Sequence, residues 1–224
     1  MKFHDEVYLA IIIAVNIVAS YAAYVAGPSP VEGPGGDVYR IFYIHTPSAW
    51  VCYLTLGISL LASILFLAKR KIVYDTLAEV SAILGLIYGV VALVTGSIWA
   101  NAVWGVYWNW DPRETTTLIL WMAYMGYISL RLSIENAEKR ALTGAVYNIL
   151  AFATVPLSYL SIRLASLHPQ IITESRIFAT LPVMETLFLN LVAGSLVYMY
   201  LLKMAYGIRS LQTRVDTLAY EKGG

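Results

Sequence analysis

Residues 44–68, IHTPSAWVCYLTLGISLLASILFLA, contain no charged side chain, and the run ends abruptly at Lys69, Arg70 and Lys71. As a helix rising about 1.5 Å per residue, this run is long enough to cross the roughly 30 Å hydrocarbon core of a bilayer. It therefore predicts a membrane-spanning helix and sets the class of fold.

The composition of the 224-residue chain supports this class: 59% of residues are hydrophobic, 13% are charged, and the mean hydropathy is +0.67. Charged residues gather at intervals and leave further apolar runs between them. We predict an all-α integral membrane protein that forms one domain over residues 1–224. Its six predicted transmembrane helices are Tyr8–Ala26, Ile44–Ala68, Ala78–Trp99, Thr115–Leu132, Gly144–Ile162 and Pro182–Leu202.

The first run resembles a secretory signal in its small residues near Ala26, but Lys2 is outweighed by Asp5 and Glu6, so we expect a retained helix. A net charge of +1 offers no polybasic patch for nucleic acid. The single cysteine, Cys52, lies inside the second run and excludes an internal disulfide.

The distribution of basic residues predicts the orientation. With six spans, 11 of the 15 lysine and arginine residues fall on the side that holds both termini. By the positive-inside rule, both termini are cytoplasmic in the plasma membrane. The three predicted outer loops are then 27–43, 100–114 and 163–181, and they carry Arg40, Arg113, Arg163 and Arg176.

All six tryptophans fall on this outer side, at positions 50, 99, 104, 108, 110 and 121. Interfacial anchoring would place indoles at both membrane surfaces, and the tyrosines do occur at both. The asymmetry favours an aromatic binding surface for a flat ligand over an anchor. We assign two of the three histidines, His45 and His168, to the first and third outer loops, His45 where that loop meets the second span, while His4 lies in the N-terminal tail. Each alone reads as an interfacial imidazole, but together they suggest two ligands to one metal or haem iron.

Thr46-Pro47 reads as a helix start beside His45, and His168 precedes Pro169, which favours extended backbone. In the fourth helix, Asp111, Pro112 and Glu114 form an N-terminal capping pattern that structure alone can explain. Arg113 is electrostatically misplaced beside a helix N-terminus, yet its guanidinium suits a carboxylate or a haem propionate.

Three segments resemble the tryptophan-rich haem-handling membrane proteins of cytochrome c biogenesis, and most closely the heme exporter protein C (CcmC) family. They are YRIFYIHTPSAW (39–50), GSIWANAVWGVYWNWDPRETTTLILW (96–121) and SLHP (166–169). The resemblance implies that His45 and His168 are axial ligands of haem b iron. It also implies that Trp104, Trp108, Trp110, Asp111 and Arg113 contact the porphyrin, with Trp50 and Trp99 beside them.

The resemblance further implies a non-enzymatic role: haem is presented on the outer face and loaded onto the chaperone CcmE, with CcmA, CcmB and CcmD as partners. The motif Asp-Pro-Arg-Glu-Thr resembles the corresponding motif of the haem-attachment synthetases CcmF and CcsA more closely, so such an enzyme is one alternative. A second alternative is a transporter subunit that binds no haem and uses the tryptophans as an anchor or docking surface.

Overall fold

The computed structural model describes residues 3–29, 36–163 and 181–223, and every regular element in these ranges is helical. The helices are α1 (Phe3–Tyr21, continued by a π-helical turn Ala22–Ala26), α2 (Phe42–Lys69, preceded by a 3-10 helix Gly36–Ile41), α3 (Ile72–Trp104), α4 (Pro112–Ser133), α5 (Ala137–Ala151), α6 (Thr154–Leu160, followed by a 3-10 turn Ser161–Arg163) and α7 (Leu181–Gly223).

In these ranges, five helical segments are long and apolar enough to cross a membrane, which identifies an integral membrane protein. They are Asp5–Val25, Gly36–Lys69, Ile72–Trp104, Ala137–Arg163 and Leu181–Gln212, and they correspond to five of the six predicted spans. The fourth predicted span is also a helix, the 22-residue α4, but three threonines at 115–117 and Arg131 make it less apolar than the others. Six spans therefore stay a prediction.

Several predicted boundaries were wrong. Residues 36–43 and 100–104 were assigned to outer loops, but they are helical, so the second predicted loop shortens to 105–111. The fifth predicted span is two short helices, because Pro156 has no N–H to donate to the carbonyl of Phe152, where α5 gives way to α6. The third predicted loop lies almost wholly outside the described residues.

The bundle is organised around α2 and α3, which pack along each other over most of their length. Helix α7 packs on both members of this pair and is itself contacted by α1, whereas α5 packs on both members, α4 packs on α3, and α6 packs on α4. Buried polar groups join the helices: Asn148 donates to the Oγ atoms of Ser59 and Ser63 at 2.7 and 2.8 Å, and Ser59 donates to the carbonyl of Ala78 at 2.7 Å. Such hydrogen bonds tie helices together in lipid, where hydrophobic burial gives little drive for association.

A charged network fixes the ends of α3, α4 and α7 on the predicted cytoplasmic side. Arg131 is 2% exposed and donates to both carboxylate oxygens of Asp75, at 2.6 and 2.9 Å. It also lies 3.3 Å from Glu79, which accepts two hydrogen bonds from Arg209 of α7. A Cβ at Gly144 of α5 would lie 2.8 Å from Arg131 Nη1, so glycine leaves room for the guanidinium.

We predict that Arg131→Met lowers stability sharply, because Asp75 would lose the cation that it binds and Glu79 would lose one of its two, while both carboxylates remain largely buried. Breaking a buried ion pair costs about 3–5 kcal/mol. Thermal unfolding in detergent measures the effect, and Lys139→Met, at an exposed position of α5, is the control. A loss no greater than that of the control would show that the network contributes little.

Candidate functional site

A cavity opens among α2, α3 and α4 at the end of the bundle that carries the tryptophans. It comprises about 850 Å³ of space between atoms, including its open mouth. Five of the residues predicted from the sequence lie on its wall: His45, Trp99, Trp104, Trp108 and Arg113.

His45 lies inside α2 and not in an outer loop, which corrects the sequence interpretation. The predicted helix start at Thr46-Pro47 was also wrong, because helical structure begins at Gly36 and Pro47 falls within α2. A tertiary contact supports this earlier start: Arg40 donates through Nη1 to the carbonyls of Ala23 and Gly27 at the end of α1, each at 2.9 Å.

The imidazole of His45 is oriented by α3. Its Nδ1 lies 3.0 Å from the carbonyl oxygen of Ala92 and 3.2 Å from Oγ1 of Thr95. A carbonyl can only accept a hydrogen bond, so Nδ1 carries the proton and Nε2 carries the lone pair. A backbone carbonyl that fixes the tautomer in this way is typical of histidines that ligate metals.

Trp121 packs inside the bundle and donates to the carbonyl of Leu86 at 3.1 Å, and the other five tryptophans divide into two groups. Trp99 is 7% exposed and lies edge-on to His45, with ring centroids 5.7 Å apart. Trp104 is the last residue of α3, where Gly105 ends the helix with φ +76°. Both residues line the cavity with Trp108, whereas Trp50 and Trp110 are not on its wall and are 49% and 71% exposed. Three indoles therefore line the cavity and two are exposed, so the tryptophans do not form a single flat binding surface.

The turn before α4 is ordered by its own polar groups. Asp111 caps the helix by accepting from the N–H of Arg113 at 2.8 Å, and its own N–H donates to Asn109 Oδ1 at 2.9 Å. Glu114 accepts from the N–H of Asn109 at 3.1 Å and lines the cavity. The capping role predicted for Asp111 is thus confirmed.

Arg113 is held at the cavity by α2 and α6. Its Nη1 donates to the carbonyl of Ser158, and its guanidinium carbon lies 5.7 Å from the ring centre of Tyr53. The hydroxyls of Tyr53 and Thr117 both contact Ser158 Oγ, at 3.0 and 2.9 Å. The guanidinium is therefore fixed at the cavity wall and does not extend into solvent.

Sequence reasoning missed Tyr53, Ala49 and Cys52 as wall residues. They follow His45 by eight, four and seven positions, the spacing that places residues on one face of a helix. This periodicity was available in the sequence and could have identified them.

His168 and Arg176 lie outside the described residues. Within the described ranges, no three or more His, Cys, Asp and Glu side chains come together as a metal site. The part of the cavity that the structure describes thus offers one imidazole, one guanidinium and one carboxylate among mostly aromatic and apolar side chains.

Comparison with known proteins identifies the family. The sequence profile of heme exporter protein C (CcmC) matches residues 1–221. The chain belongs to the CcmC family.

Individual relatives share about 30% identity. The heme exporter protein C of Bradyrhizobium diazoefficiens is 30% identical over 149 residues, covering 66% of this chain and 57% of that protein. That of Rhodobacter capsulatus is 34% identical over 130 residues, covering 55% and 54%, and that of Escherichia coli is 28% identical over 137 residues, covering 61% and 56%. The chain thus spans a little over half the length of these curated relatives.

We predict that Asp111→Ala lowers stability by about 1 kcal/mol, the usual cost of losing an N-cap, while Asp111→Asn is nearly neutral because the amide oxygen still caps. Thermal unfolding of the two variants in detergent measures the difference. Equal destabilisation by both substitutions would show that the carboxylate charge, and not the cap, is what the site requires.

Proposed function

We propose that this chain binds haem in the cavity, with His45 and His168 as axial ligands of the iron, and passes it on during cytochrome c biogenesis. The observation that carries the proposal is the setting of His45. Its Nδ1 is bonded to the Ala92 carbonyl, which leaves the lone pair on Nε2, and its ring lies on the wall of a cavity lined by three tryptophans. The names of the relatives, heme exporter protein C, agree with this ligand.

The wall chemistry fits a porphyrin. Trp99, Trp104 and Trp108 provide aromatic surface, and Ala92 and Ala100 of α3 add small apolar residues to the wall. Arg113 provides one fixed cation for a propionate, for which its planar guanidinium is well suited. Trp50 and Trp110 are exposed, so any contact they make with haem or a partner lies outside this wall.

The same features allow the ligand to be released. Each aromatic contact contributes about 1 kcal/mol beyond area burial, so coordination by histidine must supply much of the affinity, and loss of that coordination would free the ligand.

We propose haem b as the cargo, the chaperone CcmE as its recipient, and CcmA, CcmB and CcmD as partners. The chain acts as a haem-handling subunit and not as an enzyme.

The proposed membrane arrangement has six spans, with α4 as the fourth. A 22-residue helix is about 33 Å long, which matches the hydrocarbon core. Both termini then lie in the cytoplasm of a plasma-membrane protein, and the cavity opens on the extracytoplasmic side. The polar side chains of the less apolar α4 have partners inside the bundle: Thr116 bonds to Ser161, Thr117 to Ser158, and Arg131 to Asp75.

The test is the absorption spectrum of purified protein loaded with haem, beside His45→Ala, His168→Ala and His4→Ala variants. We expect a low-spin spectrum in wild type, and its loss or conversion to high spin, with at least tenfold weaker haem binding, in the first two variants. His4→Ala is the matched control, because His4 lies near the start of α1 in the tail predicted to be cytoplasmic, and it should behave as wild type.

Two results would contradict the proposal. If wild type binds no haem after addition, the tryptophans serve as an anchor or docking surface of a transporter subunit. If the protein alone forms thioether bonds between haem and a Cys-x-x-Cys-His peptide, it is an attachment enzyme.

A further inference from the structure

Three residues within one turn of α3 surround the imidazole of His45, and we call this group the imidazole cradle: Ala92, Thr95 and Gly96. Ala92 contributes its carbonyl oxygen, 3.0 Å from Nδ1, and Thr95 contributes Oγ1, 3.2 Å from the same nitrogen. Gly96 contributes the space in which the ring lies. We propose that the imidazole cradle is a positioning device that sets both the location and the electron-donating strength of the His45 ligand.

The space at Gly96 is filled by His45 itself. A Cβ added there would lie 2.9 Å from Cε1 of His45, 3.4 Å from Nδ1 and 3.9 Å from Nε2. Real side chains essentially never approach as closely as the first of these distances, so any larger residue must displace the ring. The imidazole is the movable end of its side chain, so the backbone of α3 can stay in place while the ligand moves.

The hydroxyl of Thr95 has a defined direction. Its single proton is donated to the carbonyl of Val91, at 2.6 Å, the shorter of its two backbone contacts. Oγ1 therefore presents a lone pair to Nδ1, and the Nδ1–H is shared between Thr95 and the Ala92 carbonyl. Two acceptors on one N–H draw the proton away from the ring and increase the basicity of Nε2.

This inference rests on the proposed function, since it assigns Nε2 of His45 to haem iron. Two consequences follow that a merely structural role would not produce. Displacing the ring should weaken coordination without unfolding the protein. Removing one acceptor should make Nε2 a poorer donor, stabilise ferric iron less, and raise the ferric/ferrous midpoint potential.

The experiment compares Gly96→Ala, Thr95→Val and Thr95→Ser in the 224-residue chain, with haem as the probe. The matched control is Gly57→Ala in α2, where an added Cβ would have no atom within 4 Å. Melting temperature, haem affinity, spin state and midpoint potential are measured for each variant.

We expect Gly96→Ala to melt like Gly57→Ala but to bind haem at least tenfold more weakly, with a larger high-spin fraction. We expect Thr95→Val to raise the midpoint potential, and Thr95→Ser, which keeps the hydroxyl, to restore the wild-type value.

Haem affinity, spin state and potential equal to those of Gly57→Ala in both Gly96→Ala and Thr95→Val would overturn the inference. Should Gly96→Ala fail to fold, the potentials of the Thr95 pair still decide: a potential that does not change in Thr95→Val, or is not restored in Thr95→Ser, overturns it. If His45→Ala itself leaves haem binding unchanged, the proposed function fails, and this result is distinct from failure of the cradle alone.

Discussion

The hydrogen bond between Nδ1 of His45 and the backbone carbonyl of Ala92 connects the fold of this protein to its proposed chemistry. It requires α2 and α3 to lie close together with His45 opposite a small residue, and Gly96 supplies that residue. The same contact fixes the imidazole tautomer and turns the ring to the cavity wall. The close packing of these two helices thus stabilises the bundle and shapes the ligand site.

The two ends of the bundle differ in how their polar groups are used. At the predicted cytoplasmic end, Arg131 is paired with Asp75 and Glu79, and α3, α4 and α7 are held in one arrangement. At the other end, the two charged residues of the cavity wall are held by neighbouring groups: Glu114 accepts from the N–H of Asn109, and Arg113 donates to the carbonyl of Ser158. Fixed groups at both ends lower the cost of binding a ligand in the cavity, because little of the binding energy is spent on ordering the site.

The sequence predicted the class of fold and five of the membrane-spanning helices, since a long uncharged run has few alternatives to a helix in lipid. It failed where tertiary contacts decide the outcome. Residues 39–43 read as a loop before Thr46-Pro47, but Arg40 bonds to carbonyls at the end of α1 and the helix starts earlier. In the sequence, Arg131 served only as one of the basic residues that predict the orientation. No pattern near it in the sequence predicts its ion pairs with residues of another helix. The division of the tryptophans also depends on chain geometry at Gly105 and Trp110, which have φ values of +76° and +63°.

The most direct test of the account is an experimental structure of the haem-loaded protein in a lipid nanodisc. We expect haem in the cavity among α2, α3 and α4. Its iron should lie at coordination distance from Nε2 of His45, and Nδ1 should keep its hydrogen bond to the Ala92 carbonyl. We also expect lipid to surround α4 at the same depth in the bilayer as the other membrane-spanning helices. Haem bound elsewhere on the protein, or iron ligated without His45, would contradict it.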